Sequence, residues 1–194
     1  MKTLRSGPEY SSVIERAHEV VQLVSSAFVP NVAWLDEHEM RAIVVAQGLP
    51  FATRQTSEQL RIALSDLGLS SEYALVFDRP DGSMPGMTGA TVLKLSIEVD
   101  DFESFSIQYP LPCLILGSGQ IDHFILSDPF GDWSVYAGPA SFLNTAMNND
   151  IWGMVAEFAQ HRRDLMMSAG RTPDTFTLGF ERLNDWVDEP LSKG

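Results

Sequence analysis

The chain has 194 residues, 44% hydrophobic and 20% charged, which is the balance of an ordinary globular protein able to bury a core without disulfides or a structural metal. Its net charge of −13 and pI near 4.5 argue against nucleic acid and anionic membrane as partners. Cys113 is the only cysteine, which excludes an intrachain disulfide. The first residues, Met1 to Pro8, carry two basic side chains but no apolar run behind them, so no signal peptide is expected. No apolar stretch approaches the ~20 residues that span a bilayer, and a cytoplasmic location is the expectation.

In chain order, Val13, Ala17, Val20, Val21, Val24 and Phe28 recur at helical spacing and predict an amphipathic helix over 9–28, ended by Pro30. Asp36-Glu-His-Glu39 has the spacing of an N-terminal cap with a carboxylate three residues on, predicting a helix from there to about Gln47. A third helix is expected over 57–67, capped by Ser57 and stopped by Gly68.

At Tyr73 the pattern changes to strands. Tyr73–Phe77 is a short apolar run, and residues 82–89 read as a glycine-rich loop. Residues 91–99 alternate apolar and polar side chains. Asp100–Glu103 reads as a turn, and Phe105, Ile107 and Tyr109 as the next strand. Cys113–Leu116 is a short apolar strand. Residues 120–136 then read as a hairpin about Asp128-Pro-Phe-Gly131, a sequence suited to a type I turn followed by glycine. In it, Ile121, His123 and Ile125 share one face and Phe124 and Leu126 the other, while Trp133 and Val135 share a face after the turn. Helix returns from Pro139, is interrupted at Asn148–Asp150, and resumes over 151–167; a short strand or helix is expected over 176–186. The expected architecture is a single α+β domain: N-terminal helices over 1–70, an antiparallel β-meander over 71–137, and C-terminal helices over 138–194 packed on the sheet.

The hairpin concentrates reactive residues. The order Cys113, His123, Asp128 and the fragment His123-Phe-Ile-Leu126 followed by Asp128-Pro129 resemble papain-like peptidases that process bacteriocin leaders. In the enzyme reading of these residues Cys113 is the nucleophile, His123 its base and Asp128 or Asp132 the orienting carboxylate. The chain departs from the family in placing the cysteine ten residues before the histidine, inside an apolar strand with no Lys or Arg near it to favour a thiolate. Neither a metal site nor a cofactor site is expected, since Asp122 and His123 point to opposite faces of a strand.

The charge distribution points elsewhere. Between Lys94 and Arg162 there is no Lys or Arg but there are nine acids. The expected function is therefore a non-catalytic acidic module that binds a basic protein, such as a bacterial immunity protein or antitoxin, or an effector chaperone. Its expected contact residues are Glu98, Asp100, Asp101, Glu103, Asp132 and Trp133, and a homodimer is a further option. The alternative is a hydrolase using Cys113, His123 and Asp128.

Overall fold

A computed structural model describes residues 1–24, 27–46, 53–77, 89–109, 113–118, 122–127, 133–169 and 183–184. The architecture is α+β: among the described residues there are six helices and a seven-stranded sheet whose pairings are antiparallel. The strands are β1 (Lys2–Leu4), β2 (Val21–Val24), β3 (Ala27–Pro30), β4 (Arg41–Val45), β5 (Ser71–Val76), β6 (Thr91–Ser96), β7 (Cys113–Gly117), β8 (Phe124–Ser127) and β9 (Ser134–Gly138). The helices are α1 (Pro8–Val20), α2 (Val32–Glu37), α3 (Arg54–Asp66), α4 (Val99–Gln108), α5 (Ala140–Ala146) and α6 (Ile151–Ala169). The large sheet has the order β1-β6-β5-β7-β8-β9-β4, and β2 and β3 form a separate hairpin.

Helices cover both faces of the sheet. On the first face, Val13, Ala17 and Val20 of α1 and Trp34 of α2 pack on Leu75, Leu116, Phe124 and Val135. On the second, Leu60 and Leu64 of α3, Phe102 and Phe105 of α4 and Phe142 of α5 pack on Leu93, Ile115, Ile125 and Tyr136. Nearly continuous burial along β4, β5, β8 and β9 follows, because a sheet covered twice has no wet side. The hairpin faces run as the sequence predicts: Ile125 enters the second core, while Phe124, Leu126 and Val135 enter the first, with Trp133 packed against it. Ile121 and the turn at 128–131 lie outside the described residues.

Three expectations are corrected. The predicted helix over 9–28 ends at Val20, and Val21–Val24 pairs with Ala27–Pro30. Valine at three of the five positions from Val20 to Val24 favours extended backbone over a further helical turn. The predicted helix over 36–47 is instead the short α2, whose N-cap Asn31 accepts a hydrogen bond from Trp34 N, followed by β4. Asp36–Glu39 thus ends a helix rather than starting one, and Glu39 takes φ 53° to turn the chain into β4 with its β-branched run Ile43–Val45. The turn and strand predicted over 100–109 are α4. There Val99, Phe102 and Phe105 recur every three residues on the buried side, and Asp100 and Asp101 lie in the first turn, where a negative charge suits the helix dipole. α4 therefore carries the chain across β5 from β6 to β7, and the uninterrupted meander shrinks to β7-β8-β9.

Other elements stand close to expectation. Gly68, with φ 75°, ends α3, which begins one turn earlier than predicted with a Thr53–Thr56 capping box. Asn148 and Asn149 in the left-handed region separate α5 from α6. Of the segment 176–186, only Leu183 and Asn184 are described.

Candidate functional site

Two groups of ionisable side chains lie at the same end of the sheet. The first is buried between strands. Glu72, near the start of β5, faces Gly117 on β7, and the register of Leu116 with Phe124 puts His123 beside that glycine on its other flank. Glu72 and His123 are thus two strands apart, about 10 Å by the usual strand spacing. Gly117 sends no side chain into the gap, so His123 Nε2 meets Glu72 Oε2 at 2.9 Å. The other ring nitrogen, Nδ1, is 2.8 Å from Asp122 Oδ1. Gly138 of β9 closes the far flank: a Cβ there would lie 3.1 Å from His123 Cβ and 2.8 Å from Phe142 Cδ1. Arg16 of α1 donates to the carbonyl of Gly117.

The electrostatics follow from that packing. Burial disfavours the charged ring, but the hydrogen bonds and charges of Asp122 and Glu72 outweigh it and raise His123 to about 9. Burial likewise pushes the Glu72 carboxyl above its ordinary range, against the pull of His123. A ring held at about 9 is an imidazolium at neutral pH, and both of its N–H groups donate, to Glu72 and to Asp122. Glu72 Oε1 is buried and has no hydrogen-bond partner among the described residues. Only Asp122 reaches solvent: its side chain is 33% exposed, while Glu72 and His123 are fully enclosed.

This arrangement is a poor general base, since neither ring nitrogen keeps a free lone pair. The structure also does not bring Cys113 and His123 together. Cys113 pairs with Val76, four residues along β7 from the Gly117 that flanks His123, or about 13 Å at strand rise. Asp128 lies outside the described residues. Among the described residues no group of three or more His, Cys, Asp or Glu side chains is placed to hold a metal ion.

The second group is the acidic cluster, which is the amino end of α4 rather than a turn. Asp100 is 88% exposed, and its carboxylate is 3.7 Å from the exposed Arg54 guanidinium. Glu103 receives two hydrogen bonds from Arg54 at 3.2 Å. Glu98 occupies the N-cap without a side-chain capping bond. Asp101 departs from the set: its carboxylate accepts from Ser96 N at 3.1 Å, Ser96 Oγ at 2.8 Å and the Met1 ammonium at 3.2 Å. Burial alone would raise the Asp101 carboxyl, but these bonds and the ammonium charge hold it below its ordinary range. It is an internal anchor joining β6, α4 and β1. Trp133 precedes β9 at the opposite end of the sheet from the amino end of α4 and is half-buried against the first core, whereas α4 packs in the second. Asp132 lies outside the described residues.

Sequence reasoning found His123 but missed Glu72 and Arg16. One available signal was an acid at the head of the apolar run Tyr73–Phe77 and a histidine at the head of the apolar run Phe124–Leu126. Neither profiles of protein families nor curated proteins nor solved structures matched the chain.

Proposed function

We propose that this protein is a non-catalytic module that binds a basic protein partner through the outward face of α4. The observation that carries the reading is the composition of that face. Asp100, Glu103 and Ile107 fall at i, i+3 and i+7, within one stripe of the helix. Asp100 is 88% and Ile107 81% exposed. An apolar anchor beside charges is the anatomy of an interface, with the anchor filling a pocket and the charges setting register and association rate. The exposed Arg54 pair holds these carboxylates weakly, so an incoming Lys or Arg displaces it at little cost. The net charge of −13 adds long-range attraction for a cationic surface. The finer form of the proposal is an inhibitor of a basic toxin, as immunity proteins and antitoxins are, with an effector chaperone as the variant sharing the same chemistry.

Affinity capture from the native host tests it, using wild type, Asp100→Lys, Ile107→Asp and a control reversal, Glu15→Lys, on α1. The expected result is a basic protein retained by wild type and control but lost by both α4 variants, with circular dichroism unchanged. Equal recovery by all four, or no basic protein recovered by any, overturns the proposal.

A further inference from the structure

At the β1 edge of the sheet, β1 covers only part of β6. Lys2–Leu4 pairs with Val92–Lys94, after which the chain leaves for α1. Thr91 and the preceding Gly89 and Ala90 therefore continue past the end of β1. They border a cleft of about 460 Å³ lined by Thr3, Arg5, Tyr10, Ala90, Thr91 and Tyr109, among others. That volume lies in the range of small-ligand sites. Tyr10 of α1 and Tyr109, which caps the carboxyl end of α4, pack on opposite faces of the sheet, and Tyr10 also donates to the Ala90 carbonyl at 3.3 Å.

Arg5 sets this cleft apart. The chain has 26 acids for 13 Lys and Arg, so an arginine would be expected to find a carboxylate. The other arginines among the described residues are engaged: Arg16 with Gly117, Arg54 with Glu103, Arg61 with Glu58 and Arg163 with Gln160, while Arg41 and Arg162 also have partners. Arg5 is exposed and, among the described residues, has no hydrogen bond or ion pair. A guanidinium left open among four hydroxyl-bearing side chains is a receptor for a planar oxyanion, which it grips through two parallel N–H groups.

We propose that the cleft bounded by Arg5, Thr3, Thr91, Tyr10 and Tyr109 binds a small molecule bearing a single carboxylate. One guanidinium balances one negative charge. A phosphate dianion would leave an uncompensated charge in a molecule already strongly negative, and among the described residues the cleft is lined by no second cation. The threonine and tyrosine hydroxyls suit the hydroxyl or amide groups of the ligand body, and the tyrosine rings supply apolar walls.

The test is a titration of the ¹⁵N-labelled full chain followed by NMR, with benzoate as the carboxylate, benzamide as its neutral isostere and inorganic phosphate as the competing oxyanion. Benzoate should shift the amides of Thr3, Ala90 and Thr91 and the Arg5 side-chain resonance at concentrations up to about tens of millimolar, where fragment-sized ligands bind. Binding should weaken as salt rises. Benzamide and phosphate should bind at least about tenfold more weakly. Arg5→Gln should abolish the benzoate shifts, Arg5→Lys should keep part of them, and Lys2→Gln, outside the cleft, should leave them. Arg5 is exposed, so Arg5→Gln is not expected to disturb folding; a matching amide spectrum checks this. Equal binding of benzoate and benzamide, phosphate binding as tightly as benzoate, unaltered binding to Arg5→Gln, or no benzoate shifts in the folded wild type would each overturn the assignment.

Discussion

Raising the pH through 9 should remove much of the stability that the Glu72–His123–Asp122 cluster provides. The ring is held at about 9 in the folded chain, against an ordinary value near 6.5 in the unfolded one. A folded value raised in this way stabilises fully below about pH 6.5, and the contribution is lost as pH rises through about 9. The difference of roughly 2.5 units, at 1.36 kcal/mol each, corresponds to about 3 kcal/mol. Glu72 acts in the same direction, because burial makes its folded form hold a proton more tightly than the unfolded one. This is a large part of the ~5–15 kcal/mol typical of a domain. Replacing His123 by alanine would leave a buried carboxylate unpaired, at about 3–5 kcal/mol, and so risks losing the fold. His123→Gln keeps a donor for Glu72 and removes the titration. Urea unfolding of wild type and His123→Gln at intervals from about pH 6 to pH 10 gives the difference curve, from which titrations common to both chains cancel. Wild type should lose about 3 kcal/mol relative to the variant across that range. Parallel curves would refute an ionised imidazole in this cluster.

Asp100→Lys should change stability by no more than about 0.5 kcal/mol, whereas Asp101→Lys should cost well over about 1 kcal/mol because Ser96 loses its acceptor; chemical denaturation separates the two. Gly138→Ala should destabilise by about 1–3 kcal/mol, since the added methyl meets Phe142 and His123, and a thermal melt would show it. Thr53→Ala should cost about 1 kcal/mol through loss of the cap, measured as a lower denaturant midpoint at unchanged slope.

Much of the second half of the chain was legible because its signals are local. Alternation in Phe124–Leu126 assigns faces correctly, and the interruption at Asn148–Asp150 separates two helices. The first half misled where one spacing serves two structures. Val13 to Val24 fits a helical stripe, yet its last valines extend, because packing of β2 on β3 decides where β-branched residues are permissive. Phe105, Ile107 and Tyr109 alternate like a strand, while Val99, Phe102 and Phe105 repeat like a helix. Only the second set is buried deeply enough to settle the matter. The clustering of Asp100 and Glu103 was visible as a charge run, but the withdrawal of Asp101 into an internal anchor was not. Glu72 and His123 stand 51 residues apart, and their meeting depends on sheet register and on the glycine between them, which no local pattern specifies.

β4 has a consequence for how the chain is made. It is an outer strand, its register with β9 sets Ile43 against Tyr136, and the N–H of Val44 is accepted by Asn184 Oδ1 at 2.9 Å from 140 residues further along. During synthesis at about 5–20 residues per second, Arg41–Val45 leaves the ribosome several seconds before β9 exists, and longer still before Asn184. Throughout that interval a short β-branched segment with unpaired backbone is open to pairing with other nascent chains. Translation pauses between β4 and β9 should therefore lower the soluble yield, while pauses after Asn184 should not.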